Sequence, residues 1–313
     1  VSGLVVALSG GIGGAKLALG LSRVLPAEDL LVVANTGDDF EHLGLSISPD
    51  IDTVMYTLAG LANQEFGWGR RDETWSFMET LTALGGEDWF RLGDRDLALH
   101  VERTRRLRGG ETLGAITADL CARLGVTCRV VPMSDDKVRT QVRTAGDGWI
   151  AFQEYFVHRQ CAPVVRELAF AGAAEARPSP ALLEALADPR LSAVVICPSN
   201  PFISVEPMLA IPGMRAALLG CGAPVIAVSP IIGGRAVKGP TAKMMRELGM
   251  EVSAASVAWR YGDLLDGYVV DHADAATVLQ GPRVFAAPTL MTTLDEREAL
   301  ARAVLAAAAE LRG

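Results

Sequence analysis

Positive charge is in short supply in this chain of 313 residues: 29 Lys and Arg stand against 37 Asp and Glu, a formal net charge of -8. A polyanion has to be met by basic surface, so general attraction to nucleic acid or to an anionic membrane is excluded, and any bound phosphate must be held locally. Cysteines occur only at 121, 128, 161, 197 and 221, with no C-x-x-C pair. A disulfide framework and a thiolate zinc site are therefore not expected. The four histidines (42, 100, 158 and 272) lack metal-ligand spacing. No apolar run approaches the roughly 20 residues that span a bilayer, and no basic leader precedes the first apolar run, which reads as cytoplasmic. Repeats and low-complexity tracts are missing too.

What is present is apolar substance: half of the residues are hydrophobic, enough for a substantial core. Leu4 to Leu8 is a continuous apolar run, followed by a glycine cluster, a helical pattern from Lys16 to Val24 and a second apolar run from Leu30 to Ala34. Runs apolar throughout suit strands covered on both faces, so the chain opens as a βαβ unit on a parallel sheet. Further strands are predicted at Ala193 to Cys197, Pro224 to Val228 and Gly267 to Val270. The fold class is α/β, a Rossmann-like, mostly parallel sheet with helices on both faces. We read 1–313 as one domain, with inserted segments within 66–175 forming an α+β lobe over the sheet: 68–108 is rich in Trp, Arg and Asp, and 129–170 reads as several short strands. The Ala-rich stretch from Arg297 to Leu311 reads as a closing amphipathic helix.

The glycine cluster Ser9-Gly10-Gly11-Ile12-Gly13-Gly14-Ala15-Lys16 lies where a first strand meets a first helix, so its amides and the helix N-terminus can cradle an anion. The alternative is glycine needed only for a tight turn and close packing. A dinucleotide fingerprint fails at Lys16 and at Asn35, and a P-loop fails at Ala15 and Leu17. Asn35-Thr36-Gly37-Asp38-Asp39-Phe40 follows the second strand, and Asp50 and Asp52 come soon after. Some of these four aspartates could hold Mg²⁺ through oxygen ligands, as diphosphate chemistry usually requires, or Asp50 could merely cap a helix carrying Ile51, Val54, Met55 and Leu58. The segment Trp89-Phe90-Arg91-Leu92-Gly93-Asp94 runs through Arg95 and Asp96 to His100 and Arg103. It mixes aromatic faces that stack on a flat heterocycle with guanidinium groups that bind oxyanions, or else it is a salt-bridged helix surface. Ser199 and Asn200 follow one predicted strand, and a loop with Gly233, Gly234, Arg235 and Lys238 follows another. Glycines there admit a phosphate to the backbone, and Arg235 or Lys238 can supply local positive charge.

Seven segments stand in order: GGxGG, NTGDDF, WFRLGDRDLALH with its trailing ERT, FQEYFVHR at 152–159, PSNPF at 198–202, SPIIGGRAVKGP and GDLLDGYVVD at 262–271. In this order the chain resembles the 2-phospho-L-lactate transferases of coenzyme F420 biosynthesis, over nearly its whole length. The resemblance implies that a phospholactyl, phosphoenolpyruvyl or phosphoglyceryl group passes from a guanosine diphospho donor to the ribityl hydroxyl of 7,8-didemethyl-8-hydroxy-5-deazariboflavin, with release of GMP and with Mg²⁺ as cofactor. It implies deazaflavin contacts at Asp50 and Arg91 and donor contacts in the PSNP and SPIIGG loops, at Ser199, Asn200, Gly233 and Gly234. To these the residues themselves add Asp94 and His100 on the deazaflavin side, and Gly11, Gly13, Gly14 and Lys238 on the phosphate side. Asp39 and Asp50 are the expected metal-binding or hydroxyl-activating carboxylates. His158 stands where the family often has Arg. A homodimer is the expected assembly. The rival reading is a non-catalytic, nucleotide-sugar-binding regulator of the gluconeogenesis-factor type, which shares the glycine opening and the PSNP-type loop. The WFRLGDRD and FQEY segments count against it.

Overall fold

A computed structural model describes residues 3–63 and 68–313. Along the chain it runs β1 (Leu4–Ser9), α1 (Gly11–Val24), β2 (Leu30–Ala34), the hairpin β3 (Phe40–His42) and β4 (Leu45–Ile47), then α2 (Pro49–Leu58), α3 (Ser76–Ala83), α4 (Asp94–Arg108) and α5 (Leu113–Arg123). Strands β5 (Arg129–Pro132), β6 (Arg139–Thr144), β7 (Gly148–Ala151) and β8 (Val165–Ala171) lead to α6 (Pro180–Leu186) and β9 (Leu191–Ile196). Next come α7 (Glu206–Leu209), α8 (Met214–Leu219), β10 (Val225–Val228), the short hairpin β11 (Ile231–Ile232) and β12 (Arg235–Ala236), α9 (Thr241–Glu247) and α10 (Ala254–Tyr261). The chain closes with β13 (Gly267–Val270), β14 (Arg283–Ala286) and α11 (Leu294–Arg312).

Seven strands form one sheet in the order β14-β13-β10-β9-β1-β2-β5, with every pairing parallel. The period of two along a strand explains why these runs are apolar throughout. Leu4, Val6 and Leu8 point into a core under α6, α8, α9 and α10, whereas Val5 and Ala7 point into a second core under α1, α2, α5 and α11. The antiparallel sheet β7-β6-β8 packs against the first core through Val142 and Val165.

Several expectations shift. The first helix starts at Gly11 rather than Lys16, so its first turn carries the glycines, of which Gly13 is seated against the Pro198 carbonyl with no room for a Cβ. Within 66–175, α5 and β5 belong to the central layers, since β5 pairs with β2 and Ile116 and Leu120 fill the second core. The closing helix begins at Leu294, where Thr293 and Glu296 form a capping box. Chain order reverses at β1: one neighbour, β2, comes next in sequence, and the other, β9, comes from the second half. Open α/β sheets bind ligands at the carboxyl edge of such a switch point.

Candidate functional site

A cleft of about 410 Å³ lies there, lined by the turns that leave β1, β2, β9 and β10. The turn after β1 and the turn after β9 are in direct contact. The Gly10 amide donates to Ser199 Oγ at 3.0 Å, Gly11 has a positive φ of 63°, and a Cβ at Gly13 would sit 2.3 Å from the Pro198 carbonyl oxygen. Close packing therefore requires glycine here, and the same packing sets the N-terminus of α1 on the cleft, which Gly11 and Gly13 both line. Gly14 is directed instead at Ser9 and Ser199 and does not line it.

Carboxylates gather at the same edge. Asp50 is buried in the first turn of α2, accepting from the Gly11 amide at 2.6 Å and from Asn35 Nδ2 at 2.9 Å. Ser48, not Asp50, is the N-cap residue, so the capping role does not account for Asp50. Asn35 Nδ2 also lies 3.4 Å from Asp38 Oδ1, which ties the two acids together. Burial raises the Asp50 carboxyl to about 6 against the opposing hydrogen bonds from Asn35 and Gly11. Burial, then the charges of Asp50 and Asp39, holds the Asp38 carboxyl well above the ordinary range. Both line the cleft. Asp39 turns away: its Oδ2 accepts from Ser48 Oγ at 2.8 Å, burial raises it to about 7, and it lines a separate cavity.

Positive charge and aromatic surface complete the walls. Lys16 and Lys238 line the cleft; the Lys16 amine donates to the Met291 carbonyl at 2.7 Å and is lowered by burial, then by the nearby charges of Arg297 and Lys238. Phe90, Arg91, Phe152 and Phe156 line it as well. The Arg91 guanidinium sits 4.5 Å over the Trp75 ring, and Phe152 and Phe156 stack at 5.3 Å.

Of the residues singled out in the sequence, Gly11, Gly13, Asp50, Arg91, Ser199, Asn200 and Lys238 thus meet in one cleft. The others lie elsewhere. Asp94 accepts from Thr74 Oγ1 at 2.6 Å and from the Ser76 and Phe77 amides, holding the start of α3. His100 is buried between α2 and α4, with Nε2 3.3 Å from Asp96 and Nδ1 3.7 Å from Asp52. Gly233 and Gly234 form the positive-φ tip of the β11–β12 hairpin and are not on the cleft wall. Asp38, weighed in the sequence only as one of four possible Mg²⁺ ligands and not preferred to Asp39, joins the residues of the cleft. Lys16, Phe152 and Gln153 were not picked out as site residues, although Lys16 directly follows the glycine cluster and Gln153 stands in the FQEY segment.

Asp52, Asp96 and His100 offer three ligand atoms within 4.8 Å of one another, a spacing that could hold a metal ion. Arg103, however, is buried there and donates to both oxygens of Asp52, and Tyr56 OH donates to Asp96 at 2.6 Å. A cation would have to displace or neighbour that guanidinium, so the group reads first as a charge network tying α2 to α4.

The family profile described as 2-phospho-L-lactate transferase CofD matches residues 5–307. Curated relatives called phosphoenolpyruvate transferase include those of Streptomyces griseus, 45% identical over 98% of this chain and 99% of that protein. They also include that of Thermobifida fusca, 43% identical over 98% of each, and that of Mycolicibacterium smegmatis, 39% identical over 96% of this chain and 97% of that one. A crystal structure of a UPF0052 family member from Bacillus halodurans superposes with a TM-score of 0.62 over 97% of this chain and 99% of that one. At 14% identity it speaks for the fold alone.

Proposed function

The chain belongs to the 2-phospho-L-lactate transferase family of coenzyme F420 biosynthesis, and from that premise we propose that its cleft joins a guanosine diphospho donor to a deazaflavin acceptor. The ribityl hydroxyl attacks the donor phosphorus that carries the small acid, the P–O bond to GMP breaks, and the phosphorylated acid stays on the acceptor. We take phosphoenolpyruvyl as the first choice of group, since curated relatives carry that name. One observation carries the reading: two buried carboxylates, the N-terminus of a helix, two lysines and an aromatic wall share a single cleft.

In this reading the aromatic side chains Phe90, Phe152 and Phe156, with Arg91, receive the flat deazaflavin. The α1 N-terminus, Lys16, Lys238 and the turn at Ser199 and Asn200 receive the diphosphate and the nucleoside. Asp38 presents hard oxygen donors to the cleft and carries its charge at a cost there, so it fits Mg²⁺. When bound, the ion supplies charge screening on the diphosphate. Asp50, whose carboxyl titrates at about 6, is ionised at neutral pH and takes the proton of the attacking hydroxyl. Asp39, paired with Ser48 and directed to another cavity, has neither role in this scheme. Water exclusion and in-line alignment supply the remainder of the rate.

The test is mass spectrometry of the deazaflavin after incubation with the protein, Mg²⁺ and, in turn, the phospholactyl, phosphoenolpyruvyl and phosphoglyceryl donors. The expected result is one product mass that names the group, with stoichiometric GMP. No new mass with any donor, together with saturable binding of a uridine diphospho-sugar, would transfer the protein to the regulator reading.

A further inference from the structure

The turn after β2 serves two cavities. Asp38 lines the cleft, whereas Thr36 and Asp39 line a second cavity of about 270 Å³. Thr36 is 1% and Asp39 6% exposed, yet Thr36 Oγ1 and Asp39 Oδ1 have no hydrogen-bond partner among the described residues. Buried polar atoms left in that state are costly, so a ligand that satisfies them is favoured.

The charges around these atoms are unevenly engaged. The acids are occupied: Glu41 pairs with Lys137 at 3.1 Å, Asp135 accepts from the Gly114 amide at 2.7 Å, and Asp136 accepts from the Arg177 amide at 2.9 Å. Among the described residues the guanidinium groups of Arg108 and Arg139 hydrogen-bond only to carbonyl oxygens. Arg108 Nη2 donates to Gly44 O at 2.7 Å, and Arg139 Nη1 donates to Val138 O at 2.8 Å and to Thr36 O at 3.5 Å. Neither makes a salt bridge among the described residues. The Arg139 charge lies near Asp38 and Asp39 and opposes the effect of burial on both. What the cavity leaves without an ion pair is therefore two guanidinium groups, and what it leaves without a hydrogen-bond partner is one carboxylate oxygen and one hydroxyl.

We infer that this cavity is a binding site for a small hydroxylated oxyanion, a carboxylate or a phosphate ester, held by Arg108 and Arg139 with its hydroxyl donating to Asp39 Oδ1 and meeting Thr36 Oγ1. Guanidinium groups match both oxyanions in a planar, two-pronged geometry, and the buried acceptor selects ligands that carry a donor. The site is distinct from the cleft and does not depend on the transfer reaction proposed above. Its occupant would touch the same turn that carries Asp38 and, through the Asp39–Ser48 hydrogen bond, the residue two before Asp50.

The experiment is isothermal titration of the full chain with glycerate and with glycerol 3-phosphate, which separate the carboxylate from the phosphate source, and with propionate, which lacks a hydroxyl. At least one hydroxylated probe should bind saturably, with propionate about tenfold weaker or more. Arg108→Gln and Thr36→Val should each lower that affinity about tenfold, whereas Lys238→Ala, in the cleft, should change it by less than about twofold. Thr36→Val keeps the side-chain shape, and an unchanged melting temperature separates lost binding from lost folding. No saturable heat with either hydroxylated probe, equal affinity for propionate, unchanged affinity in either cavity variant or a larger loss in Lys238→Ala would each overturn the assignment.

Discussion

Asp50→Asn separates the cost of a charge from its use. Inside the fold the Asp50 carboxyl titrates at about 6 rather than 3.8, so holding it ionised at pH 8 costs about 3 kcal/mol at roughly 1.4 kcal/mol per factor of ten. Asparagine removes that cost. It cannot, however, accept at both ends, and the Gly11 amide and Asn35 Nδ2 each donate to one oxygen of the carboxylate. One of these charge-assisted hydrogen bonds is lost, at about 1.5–3 kcal/mol. The two effects nearly cancel, and we expect the variant to match the parent within about 1.5 kcal/mol at pH 8. The pH dependence gives the sign. An acid whose folded value is raised lends stability that is full below its unfolded value near 3.8 and is lost as pH climbs through about 6. The variant lacks that loss, so between pH 4 and pH 8 the comparison should move in its favour by up to about 3 kcal/mol. Urea unfolding at both pH values in metal-free buffer reads this directly. Turnover, measured by product mass, should fall about 10²- to 10⁴-fold if Asp50 takes the hydroxyl proton. Turnover within tenfold of the parent, or an unchanged stability trend with pH, would refute the reasoning.

Gly13→Ala should cost about 1–3 kcal/mol in urea unfolding and weaken GMP binding, because the added carbon would lie 2.3 Å from the Pro198 carbonyl oxygen; an unchanged melting temperature would mean that the two turns are not in contact. Arg103→Met leaves Asp52 buried without its partner and should cost about 3–5 kcal/mol, much of it recovered by adding Asp52→Asn; a single variant as stable as the parent would remove the network from the stability of the α2–α4 contact. Burial and the charges of Asp50 and Asp39 raise the Asp38 carboxyl, so a proton competes with Mg²⁺ for it; the ion's stabilising effect on the melting temperature should be larger at pH 8 than at pH 5 and should vanish in Asp38→Asn, and equal effects at both pH values would assign the ion elsewhere.

Much of the architecture was written locally. Strands β2 and β13 fall on the residues that their apolar runs predict, because a strand covered on both faces needs nothing but apolar side chains. The glycines after β1, the acids after β2 and the PSNP turn after β9 were legible as site material for the same reason, since each directly follows a strand. The order of these segments in the sequence also carried the family to which the chain belongs. Tertiary structure alone decided which side chains face the cleft. Asp38 and Asp39 are neighbours in sequence, yet the first is joined to Asp50 through Asn35 and the second to Ser48, bonds that span 3 to 15 residues and require α2 to be docked. Asp94 and His100 carry the same chemistry as Asp50 in a list of residues, but the packing of α4 turns one toward the start of α3 and buries the other beside Asp52. Composition and spacing thus determined what this protein has to work with, and long-range contacts determined where each charge points, because direction in a turn is set by partners that local sequence does not contain.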